Sequence, residues 1–217
     1  MVTPNNNNQP KTVKPALIFV RQLADSGILK SMGNTVGSKF LFKSAEDYYI
    51  LGLWLADGYW RSSSIGLTSI NQKLINRFEI FLKRVSFDHP IKKRIYEVRE
   101  GDKRKHKAIQ IYVNSRSLTR LFMKAKAGNL LIPKRYLYSY LAGRIDGDGC
   151  IDTKYRSGIR IAYSSRKDAS RDQTLIGKNN ASVYHYCSAN TYVIYLKKHY
   201  REKIWKELSR FCFKLAP

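Results

Sequence analysis

Leu141-Ala142-Gly143-Arg144-Ile145-Asp146-Gly147-Asp148-Gly149 restates, with different side chains, Ile50-Leu51-Gly52-Leu53-Trp54-Leu55-Ala56-Asp57-Gly58. Each stretch is an apolar, helix-like run with small residues at matching places, and each closes on Asp-Gly. Gly52 and Ala56 are four apart, as are Gly143 and Gly147. Small residues at that spacing share one helix face and let two backbones approach closely. Two such helices packed together about a pseudo-twofold axis set Asp57 beside Asp148. Taken singly, an Asp-Gly pair is also an ordinary helix ending, in which glycine supplies a positive φ.

A second echo has nearly the same offset. Leu118-Thr119-Arg120-Leu121-Phe122-Met123-Lys124 parallels Leu208-Ser209-Arg210-Phe211-Cys212-Phe213-Lys214, and together the echoes suggest two halves of about ninety residues. Ser44-Ala45-Glu46-Asp47 is a capping-box pattern that starts the first motif helix. Pro133 suits the first turn of the second. Strand-like stretches follow at 65–70 and 159–164, then 91–99 and 108–114, and 182–187 and 192–196. Residues 71–85 read as an amphipathic helix with Leu74, Phe78, Phe81 and Leu82 on one face, while the polar stretch 165–177 stays unassigned. Closing helices fall near 115–127 and 198–213. Each half therefore reads helix, two strands, helix, two strands, helix. The divisions are 1–43, an N-terminal arm and extra element; 44–127, the first half; and 128–217, the second.

At 217 residues with 43% hydrophobic content and 6 prolines, the chain can bury a real core. The charge is the outlier: 40 Lys+Arg against 16 Asp+Glu gives +24. Such a field attracts polyanions, nucleic acid first. No run of eighteen apolar residues is present to span a membrane. Cys150, Cys187 and Cys212 are odd in number and widely spaced, which fits neither a disulfide framework nor a zinc site. A reduced, intracellular setting is expected.

Two carboxylates held close repel, and one is driven to protonate unless a cation intervenes. Mg²⁺ suits the pair, because it takes about six oxygen ligands and often only one or two carboxylates. On a basic chain, the natural use of such a centre is phosphodiester chemistry.

The motifs resemble the LAGLIDADG homing endonucleases, in particular the single-chain kind with two motif copies. Residues 141–149 match that consensus at seven of nine positions, and 50–58 form a looser copy with Leu55 where the first acid would stand. The resemblance implies an α+β fold of two pseudo-symmetric αββαββα halves, with the motif helices packed at the centre and antiparallel sheets forming a DNA-binding saddle. It implies metal-dependent cleavage of both strands of a double-stranded DNA site, leaving short 3′ overhangs, by a monomer encoded in an intron. It assigns metal binding to Asp57 and Asp148, with the carbonyls of Ala56 and Gly147 as further ligands. Asp146, lacking a partner in the first motif, is read as structural. Mg²⁺ is the expected ion, with Mn²⁺ able to substitute and Ca²⁺ bound without supporting cleavage. Lys124 and Lys214, equivalent under the repeat, are the candidate catalytic lysines, and Ser69 and Ser164 candidate water-organising residues.

Strand alternation points Gln110, Tyr112 and Asn114 outward, and likewise Arg160. These, with Arg61, Ser69, Arg94 and Lys154, are the expected DNA contacts; arginine reads guanine, and glutamine or asparagine reads adenine, in the major groove. Two other functions remain open at this stage. One is an intron-RNA-binding maturase on the same scaffold; the other is a regulator that binds without cutting.

Overall fold

A computed structural model describes residues 42–86, 88–100, 104–152 and 158–215. Ser44 starts the first helix as its sequence demands: its hydroxyl accepts the Asp47 N–H while Asp47 Oδ2 accepts the Ser44 N–H at 2.9 Å. Helix α1 (Ala45–Asp57) leads into β1 (Gly58–Trp60), β2 (Ser64–Ser69), α2 (Gln72–Val85), β3 (Lys92–Glu100), β4 (Arg104–Asn114) and α3 (Arg116–Lys126). A 3₁₀ turn (Lys134–Tyr136) opens the second round. There α4 (Leu137–Asp148) is followed by β5 (Gly149–Asp152), β6 (Gly158–Tyr163), α5 (Arg166–Ile176), β7 (Ala181–Tyr186), β8 (Thr191–Leu196) and α6 (Lys198–Ser209). The sheets are antiparallel and share one topology, β1-β2-β4-β3 and β5-β6-β8-β7. This is the expected α+β fold of two pseudo-symmetric halves.

Neither motif helix is amphipathic, because each is covered on every side. Every residue from Asp47 to Trp54 is buried, as is every residue from Ser139 to Asp146. They cover one another: a Cβ on Gly52 would stand 2.0 Å from the Tyr140 carbonyl oxygen, and one on Gly143 would stand 2.0 Å from that of Tyr49. The small residues thus mark a backbone-to-backbone crossing, each helix pressed on a peptide group of the other. Tyr48 and Tyr136 stack across the N-terminal end of the pair, with ring centroids 4.7 Å apart.

The motif glycines end their helices for a different reason than a positive φ. Gly58 and Gly149 are extended, with φ of −67° and −87°, and their N–H groups bond back to Trp54 and Ile145. A Cβ would meet those same carbonyls at 2.1 and 2.4 Å. The chain passes straight from helix into β1 or β5, strands too short for alternation to reveal.

Ile65, Leu67, Ile111 and Val113 line the inner face of the first sheet, against an aromatic cluster in which Phe122 meets Trp54, Phe81 and Phe42 edge-on. In the second half Ile159, Ile161 and Ile194 do the same work against Ile145, Ala169 and Ile204. The unassigned stretch 165–177 is helix α5: Ser165 caps it by accepting the Asp168 N–H, and Ala169, Asp172 and Ile176 form its buried face. A buried aspartate in mid-helix breaks the apolar periodicity that a sequence reading follows. The last helix ends at Ser209 rather than 213, and the chain turns into a separate 3₁₀ turn, Phe213–Leu215.

Replacement of Gly143 by alanine forces the helix pair apart at its tightest point. We expect it to cost about 3 kcal/mol or more, the upper end for overpacking, in urea denaturation followed by circular dichroism.

Candidate metal and nucleic-acid site

The crossing of α1 and α4 brings their C-terminal ends together. A Cβ on Gly147 would lie 2.3 Å from that of Ala56 and 3.4 Å from Asp57 Oδ2, so the Asp57 carboxylate lies against the residue preceding Asp148. Asp57 senses the charge of Asp148. Burial, then the charge of Asp148, pushes the Asp57 carboxyl up to about 6. Burial also raises Asp148, against the pull of Arg144 and Lys214. Two proton-hungry carboxylates and neighbouring backbone carbonyls form an all-oxygen donor set that fits a hard divalent cation. Among the described residues no group of three His, Cys, Asp or Glu side chains gathers, so an ion held here completes its shell with carbonyl, water or phosphate oxygens.

Lys214 reaches this tip and Lys124 does not. The Lys214 ammonium donates to the carbonyls of Ile145, Gly147 and Gly149, at 3.0, 3.1 and 2.6 Å. It neutralises the electronegative end of α4, and it shares the Gly147 carbonyl that the family resemblance assigns to metal. Lys124 sits inside α3 with its side chain exposed. The lysine on that side is Lys126, its ammonium 3.6 Å from the Trp60 ring centroid, in a cleft that also takes in Ala56 and Asp148. Burial pulls Lys126 below the ordinary lysine range. The repeat spacing misses it because the chain after α6 breaks into a 3₁₀ turn where α3 continues as helix.

Asp146 makes that break. Oδ1 accepts the Lys214 N–H at 3.0 Å and the Cys212 thiol at 3.1 Å; Oδ2 accepts the Phe213 N–H at 2.9 Å and the Tyr49 hydroxyl at 2.8 Å. The acid without a counterpart in the first motif therefore anchors the segment that delivers Lys214. Arg77 secures the same segment, with its guanidinium 3.4 Å from the Tyr49 ring centroid and a bond to the Phe211 carbonyl at 2.7 Å.

On the outer face of the first sheet, register aligns Gly66, Tyr112 and Lys92 in one row and Thr68, Gln110 and Arg94 in the next. Tyr112 and Gln110 do point outward, but they are not free. Gln110 is 5% exposed, donating to Thr68 Oγ1 and accepting from the Tyr96 hydroxyl, each at 3.0 Å. Tyr112 is 7% exposed beneath the Tyr59 ring and Arg94. Large cross-strand neighbours make both a supporting layer, leaving Arg94, Lys92, Tyr96 and the strand-end Asn114 exposed. Arg61 is exposed beside the Tyr59 ring. Ser69 lies on the opposite, helix-facing side, and its hydroxyl accepts the Asn71 N–H at the entry to α2. Ser164 is exposed and lines the cleft with Asp148. Arg160 lies on the outer face of the second sheet between Cys150 and Tyr195, where Tyr184 and Tyr186 are also exposed. Lys154 is outside the described residues.

Residues 44–125 match the family model described as a LAGLIDADG-like domain. No curated protein matches the chain in sequence. The solved structure of I-DmoI in complex with DNA and Ca superposes with a TM-score of 0.59 at 15% identity, over 79% of this chain and 95% of that one. I-WcaI bound to its DNA recognition sequence gives 0.54 at 12%, over 87% and 93%. Full-length DUF199/WhiA from Thermatoga maritima gives 0.56 at 18%, over 82% and 60%. Fold and site together define a class, the α+β proteins in which paired helices carry one acid each between two like sheets. The chain has the LAGLIDADG fold in its single-chain, two-motif form.

Two measurements check this site. Because the folded Asp57 carboxyl titrates near 6 instead of 3.8, its contribution to stability is full below about pH 4 and lost as pH rises through 6. Without divalent ions, the melting temperature of the wild type should fall by several degrees more than that of Asp57→Asn between those limits. Millimolar Mg²⁺ should restore the loss above pH 6 but not below 4. Asp146→Ala should lose about 3 kcal/mol, having stranded charge-assisted hydrogen bonds to two backbone amides, and should expose Arg210 and Lys214 to trypsin.

Proposed function

We propose that the protein is a site-specific, divalent-metal-dependent DNA endonuclease that cuts both strands of its target. The convergence of Asp57 and Asp148 at the tip of a sealed helix pair, on a chain of net charge +24, carries this reading. An acidic pair raised by burial is costly to a protein that merely binds a polyanion, and here it stands at the ends of two tightly packed helices.

Asp57 and Asp148 would hold the ions, helped by the Ala56 and Gly147 carbonyls. Divalent ions held there supply positive charge that polarises a phosphate and eases deprotonation of water. Lys214 keeps its ammonium beside the Asp148 end, and Lys126 brings a second cation to the cleft; both are placed to offset charge growing on a phosphate. Arg61, just after β1, and Lys92, Arg94 and Arg160, on the outer faces of the two sheets, suit backbone phosphates or guanine edges. The relatives fit this chemistry: I-DmoI has been crystallised in complex with DNA and Mn, and in complex with its target DNA in 2 mM Mg. Mg²⁺ with Mn²⁺ as substitute, Ca²⁺ binding without cleavage, short 3′ overhangs, a monomer and intron encoding complete the proposal.

Selection from randomised duplexes in Mg²⁺ should return one long, asymmetric site cut in both strands. Asp57→Asn and Asp148→Asn should each reduce double-strand cutting at least a thousandfold while binding stays within about tenfold, and chelation should do the same to the wild type. Full cutting by the double variant overturns the assignment.

A further inference from the structure

Two arginines in matching places cross between the halves. Arg77 is the sixth residue of α2 and Arg171 the sixth of α5. Around them the halves diverge: Phe78 follows one and Asp172 the other, just as Leu53 of α1 stands where α4 has Arg144. The two arginines nevertheless do the same work.

Each reaches the end of the other half's closing helix. Arg77 Nη1 donates to the Phe211 carbonyl at 2.7 Å, two residues beyond α6. Arg171 Nη1 donates to the carbonyls of Lys126 and Ala125, at 3.2 and 3.5 Å, in the last turn of α3. Lys167 adds a bond to the Ala127 carbonyl at 3.4 Å. The last carbonyls of a helix have no partner within it, and a cation there also meets the negative end of the helix dipole.

Neither guanidinium is loose. Nε and Nη2 of Arg77 grip the two oxygens of Glu46, each at 2.7 Å, and its flat face rests on the Tyr49 ring. Arg171 is held by Asp168 at 3.2 Å and by Asp172 at 3.4 Å. Each clasp is therefore anchored in one half and closes on the other. A guanidinium suits the task because its donors form a fixed fork, enough to hold an acid and a carbonyl together.

What the clasps close on are the segments that carry the two lysines. Arg171 takes the carbonyl of Lys126 itself, whose ammonium stands in the cleft with Ala56 and Asp148. Phe211 is three residues before Lys214, whose ammonium donates to the Gly147 carbonyl.

We propose that Arg77 and Arg171 are positioning residues that act crosswise: the first half sets Lys214, the second half sets Lys126, and neither half completes its own cation. The inference rests on the endonuclease reading and adds that the two lysines serve different strands.

The test is single-turnover cutting of the selected duplex in Mg²⁺, with the two strands labelled separately. Lys214→Met and Lys126→Met should slow opposite strands, each at least tenfold. Arg77→Ala should slow the strand that depends on Lys214 at least fivefold, and Arg171→Ala the strand that depends on Lys126, with the other strand within twofold of wild type. Combined with its matching lysine variant, each alanine should cost less than a further twofold on that strand. Should an alanine variant fail to fold, Arg77→Lys or Arg171→Lys, which keeps the charge but not the fork, takes its place with the same strand bias expected. Equal slowing of both strands, losses that multiply with those of the lysine variants, or an arginine variant that cuts like wild type overturns the crosswise role. Lysine variants without opposite strand bias overturn it as well. A wild type that cuts no duplex overturns the endonuclease reading itself, and the crosswise role with it.

Discussion

Everything at the functional end of this protein depends on two helices touching through their peptide groups. Gly52 against the Tyr140 carbonyl and Gly143 against that of Tyr49 leave no space for a side chain, and this sets the depth at which the helices end. Because the acids are the last residues of those helices, their separation is inherited from the crossing and not adjusted by flexible chain. Rigid elements place charged groups more tightly than loops do. Part of the cost of holding Asp57 beside Asp148 is visible in the upward push on the Asp57 carboxyl, and burial raises Asp148 as well. A well-packed crossing can bear that cost because its stability comes from contacts elsewhere along the pair.

The two halves repeat in topology but not in chemistry. The first fills its interior with rings, Trp54, Phe81 and Phe122. The second buries Arg144, Asp172, Tyr140 and Tyr163 as a hydrogen-bonded cluster, and uses Asp146 to fasten the segment around Phe213. Breaking a buried ion cluster by removing one member is far costlier than replacing it whole with apolar residues, which is why the first half's Leu53 and Phe78 form a meaningful substitute. The asymmetry has a spatial result: one flank of α4 is closed by protein and the other is open.

Much of this was legible in the residues. The doubled Asp-Gly motif with small residues four apart announced the crossing and the paired acids, and Ser44 with Asp47 announced the start of α1. What escaped did so for physical reasons. Helix α5 buries an aspartate, so its apolar period is broken, and β1 and β5 are too short to alternate. Alternation correctly oriented Gln110 and Tyr112, but it carries no information about Tyr59 and Tyr96, which come across from neighbouring strands to cover them. The 90-residue offset nominated Lys124 as the match of Lys214, yet helix α3 continues where the later segment turns. Lys126 and Arg144 emerged only with coordinates, although a lone arginine inside an apolar motif was the signal that could have marked it.

The crossing also has a consequence for biogenesis. Helix α1 is complete about ninety residues before α4 is, so at ordinary elongation rates the face around Gly52 waits on the order of ten seconds for a mate. During that interval the nascent chain displays the one face of α1 that α4 will later cover. A neighbouring ribosome on the same message would offer the same face, making exchange between sibling chains the misassembly this architecture is most exposed to.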